Sequence, residues 1–118
     1  DNPKDKFIQL MDMAKESVGL PDSEKTDHNK IYGCTSQAWV VGDRGDNSTF
    51  IFRTESDAMI VKGLLVLLEK IFSGKSVDEI LSVSSADILN SVGLDGAVTS
   101  QRTNGFSSAV EKIQGIVK

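Results

Sequence analysis

The stretch Gln37-Ala38-Trp39-Val40-Val41-Gly42-Asp43-Arg44-Gly45-Asp46-Asn47-Ser48-Thr49-Phe50-Ile51-Phe52-Arg53 reads as two strands around a turn. Gln37 to Val41 and Thr49 to Arg53 are rich in Trp, Val, Phe and Ile, whose branched or aromatic side chains suit a pleated, half-buried surface. Between them Gly42-Asp43-Arg44-Gly45-Asp46-Asn47 is a dense turn signal, because Gly, Asp and Asn tolerate the backbone of tight turns. The pair predicts an antiparallel hairpin. A short extended piece at Lys30–Tyr32 is expected to add a third strand, which puts Cys34 in the turn between that piece and Gln37.

Helical periodicity surrounds the hairpin. Upstream, Phe7, Leu10, Met11, Ala14 and Val18 fall on one face of an amphipathic helix that Gly19 and Pro21 end. The polar stretch 22–30 reads as a loop. Downstream, Ser56 or Asp57 is expected to cap a helix from Ala58 to Ser73, apolar on nearly every face and therefore buried on most sides. Ser76-Val77-Asp78-Glu79 is a capping box opening a short helix. Ser84 or Ser85 opens another, ended by Gly93. Phe106, Ala109, Val110, Ile113 and Val117 share one face of a last helix, with Asn104 as its expected cap. This order predicts an α+β fold: one domain over residues 1–118, with a small antiparallel sheet of about three strands covered by helices on one face.

Composition narrows the function classes. The 118 residues carry a formal net charge of -4, with 13 Lys and Arg against 17 Asp and Glu. Nucleic-acid binding needs clustered cations along a phosphate backbone, and docking on anionic lipid needs the same, so neither is expected. The apolar run between Ala58 and Phe72 is too short for a bilayer span and contains Lys62, Glu69 and Lys70. One cysteine permits no internal disulfide, which fits a reducing compartment. One Cys and one His are too few for an ordinary zinc site, and one thiolate cannot hold an iron–sulfur cluster. No cofactor of the chain's own is expected.

A lone cysteine is by default a core residue. Cys34 departs from that default: Gly33 precedes it, Thr35, Ser36 and Gln37 follow, and the segment lacks apolar periodicity. Glycine permits tight turning and close approach of another backbone, and functional residues concentrate on such loops.

At these residues the chain resembles the SufE and CsdE sulfur acceptors. Tyr32-Gly33-Cys34-Thr35-Ser36-Gln37-Ala38-Trp39-Val40 is similar to the family's cysteine-bearing loop. Glu55-Ser56-Asp57-Ala58-Met59-Ile60-Val61-Lys62-Gly63-Leu64 resembles the start of its central helix, and Thr99-Ser100-Gln101-Arg102-Thr103-Asn104-Gly105-Phe106 its C-terminal Arg-Ser-Asn-Gly block. The family usually has Gln at Thr35, Val at Ala38, Pro-Ser at Ser100-Gln101, Ser at Thr103, and a longer N-terminal segment.

The resemblance implies a fold shared with SufE and the IscU-like scaffolds. It implies that Cys34 takes persulfide sulfur from a SufS-type cysteine desulfurase, whose pyridoxal phosphate stays with that partner, and passes it to a downstream iron–sulfur scaffold. The partner is stimulated as its persulfide is cleared. Gly33, Thr35, Ser36, Gln37, Asp57 and Arg102 are the expected loop and docking residues. Arg102, and less so Lys62, is a candidate cation to favour the Cys34 thiolate. Asp57 reads equally as a plain helix cap, Arg102 as a solvated residue before a helix, and Ser36 and Gln37 as strand-edge polarity. The expected state is a monomer or weak homodimer. The expected location is a bacterial cytoplasm, or a plastid stroma or other organelle after loss of a targeting segment.

Two alternatives compete: an IscU-like interaction module without sulfur transfer, in which Cys34 is merely packed, and a thiol hydrolase pairing Cys34 with His28. Arg44-Gly45-Asp46 and Asn47-Ser48-Thr49 match short adhesion and glycosylation motifs, but at a hairpin tip they are turn chemistry.

Overall fold

The computed structural model describes residues 3–32, 36–91 and 100–118, with the backbone alone at 3, 4, 6, 7, 89–91 and 100–104. β1 (Ala38–Arg44) and β2 (Thr49–Ser56) form the antiparallel hairpin, in a register running from Ala38↔Ser56 to Arg44↔Phe50. Both strands are longer than their composition predicts. Asp43 and Arg44 look like turn residues, yet side-chain contacts hold them in the strand. The Asp43 carboxylate meets Arg53 diagonally across the pair, at 3.1 Å from Nε, and the Arg44 guanidinium lies 5.3 Å from the Phe50 ring centre. The turn contracts to Gly45–Ser48, with Asn47 and Ser48 at φ of 57° and 62° and the Gly45 N–H donating to the Thr49 carbonyl at 2.8 Å.

The third strand is not the expected one. β3 (Lys75–Ser76) pairs with the free side of β2 at Thr49 and Phe50, giving the order β1-β2-β3. Lys30–Tyr32 makes an isolated bridge, Lys30↔Trp39, on the opposite edge of β1. Buried Ile31 docks this piece, but the chain turns away at exposed Tyr32 before a ladder can extend.

Five helices accompany the sheet among the described residues: α1 (Pro3–Glu16), α2 (Met59–Phe72), α3 (Val77–Leu81), α4 (Ser85–Ser91) and α5 (Ser100–Val117). Ala38, Val40, Phe50, Phe52, Thr54 and Ser56 are buried on one face of the hairpin, where α2 packs on β2 and α5 on β1. Phe52 meets Phe72 of α2 edge-on, with centroids 6.4 Å apart. All five apolar residues of the α5 face are buried as their spacing predicts. The α3 capping box is present in both directions.

α2 buries several sides because α1 packs on the side away from the sheet. Gly63 makes that contact possible: a Cβ there would collide with the backbone of Leu10. Leu10 and Ala14 face α2, but Met11 is 37% exposed and Val18 96%. The predicted inward placement of Val18 fails because α1 ends at Glu16 and the chain reverses through Gly19, at φ 67°, while Met11, inside the helix, sits beside the stripe that Leu10 and Ala14 turn to α2.

Neither predicted cap closes α2; its N-cap is Ala58, without a side-chain bond. Nor does Asn104 cap α5, since the helix already begins at Ser100. Ser84 accepts the Asp87 N–H at the start of α4, and Gly93 lies outside the described residues.

Beyond β3, β2 exposes an edge that α2 and the Ser73 following it cover with side chains. The Phe52 N–H donates to Ser73 Oγ at 3.0 Å, and the Thr54 N–H donates to Glu69 Oε2 at 3.0 Å. The Thr54 hydroxyl donates to the same carboxylate oxygen. An edge satisfied in this way presents no open ladder to another chain.

Candidate functional site

Cys34, Gly33 and Thr35 lie outside the described residues, so the site is defined by the two arms that hold their segment. The leading arm docks on β1. The Val40 N–H donates to the Asn29 carbonyl at 2.9 Å, and the Ile31 N–H to the Ala38 carbonyl at 2.8 Å. Next along the chain, Tyr32 is 63% exposed; its hydroxyl donates to the Asp27 carbonyl at 3.2 Å, and Lys30 Nζ lies 5.7 Å from its ring centre.

The outgoing arm is clasped at the junction of β2 and α2. The Gln37 N–H donates to Asp57 Oδ1 at 3.1 Å, and the Asp57 N–H donates back to the Gln37 carbonyl at 3.2 Å. The Ser56 hydroxyl donates to the same carbonyl at 2.9 Å and accepts the Ala58 N–H at 3.2 Å. Asp57 is therefore no helix cap: its carboxylate is spent on the backbone three residues after Cys34. Gln37 enters the clasp through its main chain, and no bond from its amide or from the Ser36 hydroxyl is made among the described residues.

The structure thus joins Gln37 and Asp57 at one end of the cysteine segment. Arg102 belongs to the first turn of α5 rather than to a coil before it, and its side chain lies outside the described residues. Lys62 is engaged elsewhere, with Nζ 3.0 Å from Glu55 Oε2 and both side chains largely buried. That ion pair removes it as a free cation for Cys34. His28 is exposed in the turn before the leading arm, and its carbonyl accepts from Lys112 Nζ at 2.6 Å.

Three carboxylates around the arms escaped the sequence reading. Glu55 collects the Leu20 N–H (3.3 Å), the Ser56 N–H (3.1 Å) and Lys62. Burial pushes its carboxyl up, but Lys62 and the two backbone donors outweigh that and leave it below the usual range. Glu24 takes a two-pronged grip from Arg53, at 2.7 and 2.8 Å, which holds its carboxyl low and the guanidinium firmly protonated. Glu69 lies against Thr54, and burial raises its carboxyl despite the two Thr54 hydrogen bonds. For Glu24 and Glu55 strand alternation was the available signal: with Trp39, Arg53 and Glu55 on one face of a hairpin, that face needs covering partners.

A hairpin packed by helices on one face, with docked chain on either side of the cysteine segment, describes a small α+β domain. The same fold occurs in the solution structure of a hypothetical protein from Thermus thermophilus, at a TM-score of 0.80 and 19% identity over 99% of this chain and 85% of that one. The SufE family, described as an Fe-S metabolism associated domain, matches residues 1–117, and the chain belongs to that family. An uncharacterised SufE-like protein of Rhizobium meliloti (strain 1021) is 36% identical over 97% of this chain and 84% of its own. The SufE-like protein 1, chloroplastic/mitochondrial, of Arabidopsis thaliana is 35% identical over 95% of this chain, but only 30% of that longer protein is covered. The sulfur acceptor protein CsdE of Escherichia coli (strain K12) is 29% identical over 98% of this chain and 78% of its own.

Proposed function

We propose that the protein accepts sulfur onto Cys34 from a SufS-type cysteine desulfurase and delivers it to a downstream iron–sulfur scaffold. Family membership over residues 1–117 carries this reading, together with a relative named as a sulfur acceptor. The anchored arms support it, because a transfer thiol must meet a partner's active site in a defined pose.

The step balances without any outside oxidant. The desulfurase holds a persulfide on its own cysteine. The Cys34 thiolate attacks the terminal sulfur, the new S–S bond forms on Cys34, and the old S–S bond breaks. The partner's cysteine leaves as thiolate and is ready for another cycle. An ordinary thiol is only a few per cent ionised near neutrality, so a cation favouring the thiolate speeds the attack. Arg102 is the proposed cation. Gly33, Thr35 and Ser36 shape the segment, while Gln37 and Asp57 set its outgoing end. The chain needs no cofactor of its own, since pyridoxal phosphate works in the partner. It acts as a monomer or weak homodimer, in a bacterial cytoplasm or an organelle.

The test measures alanine produced by a desulfurase from free cysteine. Wild-type protein is expected to stimulate turnover and Cys34→Ser to leave it at the basal rate. Equal stimulation by both would refute transfer through Cys34.

A further inference from the structure

We propose that the Arg53–Glu24 ion pair is a positioning device for the leading arm of the Cys34 segment. Its functional consequence rests on the sulfur-acceptor reading; its geometry does not.

Residues 17–30 form a strap over the sheet face opposite the helices. The strap meets three residues that the hairpin register puts on that face: Leu20 bonds Glu55, Glu24 bonds Arg53, and Lys25 Nζ lies 5.8 Å from the Trp39 ring centre. From Glu24 an unbroken series of bonds leads to the cysteine segment. Arg53 grips the Glu24 carboxylate at 2.7 and 2.8 Å. The Glu24 carbonyl accepts from Asn29 Nδ2 at 2.9 Å, and the Asn29 carbonyl accepts the Val40 N–H at 2.9 Å. Two residues on, Ile31 bonds Ala38, and Cys34 follows three positions later. The guanidinium therefore fixes Glu24, Glu24 fixes Asn29, and Asn29 sets where the segment leaves β1.

Asp43 provides an internal control. It shares the Arg53 guanidinium, at 3.0 Å from Nη2, but it sits in β1 and bonds no strap residue. Removing either carboxylate takes one charge from the same arginine; only Glu24 transmits to the arm. The strap keeps its bonds at Leu20, Lys25 and His28 when Glu24 is changed, so the variant is expected to fold.

The experiment compares amide hydrogen exchange at Ile31 and Val40 in wild type, Glu24→Ala, Glu24→Gln and Asp43→Ala. It also compares the rate of persulfide formation on Cys34 with a cysteine desulfurase and free cysteine. In Glu24→Ala the two amides are expected to exchange roughly two- to fivefold faster, the effect a half-exposed ion pair supports, with Glu24→Gln between it and wild type. Persulfide formation is expected to slow by a similar factor, and Asp43→Ala to match wild type in both. Unchanged exchange in Glu24→Ala, equal acceleration in Asp43→Ala, or faster exchange with wild-type transfer would each overturn the proposal. A wild-type protein that takes up no sulfur would overturn the acceptor reading instead, and the exchange rates alone would then decide the coupling.

Discussion

Glu69 shows how much one side chain settles. It satisfies both donors of Thr54, a residue 1% exposed, on a strand edge that has no neighbouring strand there. Glu69→Ala strands both donors in a buried site and is expected to cost about 1–3 kcal/mol in chemical denaturation. Glu69→Gln keeps a carbonyl acceptor and is expected to cost less. Its titration runs opposite to that of its neighbours. Burial raises the folded-state value of Glu69, so the folded protein binds that proton more readily than the unfolded chain. Stability from Glu69 is therefore present in acid and is lost as pH rises through its folded value. Glu24, Glu55 and Glu79 are held low by partners, so their contribution is present above the ordinary carboxylate range and is lost as pH falls. Glu69→Gln is expected to abolish the fall in stability with rising pH while keeping the acid loss. An unchanged stability–pH curve would contradict this. None of it was legible beforehand: a glutamate in an apolar helix looks the same whether it points to water or to a strand edge. Of the two readings of Asp57, loop residue and helix cap, the cap fails for a related reason. A carboxylate just before a helix is usually its cap, and only the return of Gln37 to the β2–α2 junction gives it another partner.

At the scale of elements, the hairpin, α2, the α3 capping box and the buried face of α5 were legible, because each rests on local periodicity or local chemistry. Residues whose partners lie far along the chain were not. Val18 fits the α1 stripe on spacing, but the helix stops two residues earlier. Lys30–Tyr32 has strand composition, but the third strand comes from Lys75–Ser76, two residues whose pairing only the α2 turn arranges. The contact of α1 with α2 is testable at Gly63. Gly63→Ala pushes a methyl against the Leu10 backbone, which cannot rotate away as a side chain would. It is expected to destabilise by about 1–3 kcal/mol despite the better helix propensity of alanine. A neutral or stabilising effect in urea denaturation would show that the helices separate freely.

Over the whole molecule, the sheet carries different duties on its two faces. One face builds the core with α2 and α5. The other is crossed by the strap that feeds the leading arm, while the β2–α2 junction clasps the outgoing arm. The described chain on either side of the Cys34 segment is thus docked, at buried Ala38 and Val40 of β1 before it and at the exposed Gln37–Asp57 clasp after it. The central claim is that the Cys34 thiol accepts sulfur. Its most direct test is intact-mass measurement after mixing the protein with a cysteine desulfurase and free cysteine, without reductant. The account expects wild type to gain the mass of one sulfur atom and Cys34→Ser to gain none. Wild type that stays unmodified with several active desulfurases, or an equal gain on Cys34→Ser, would contradict it.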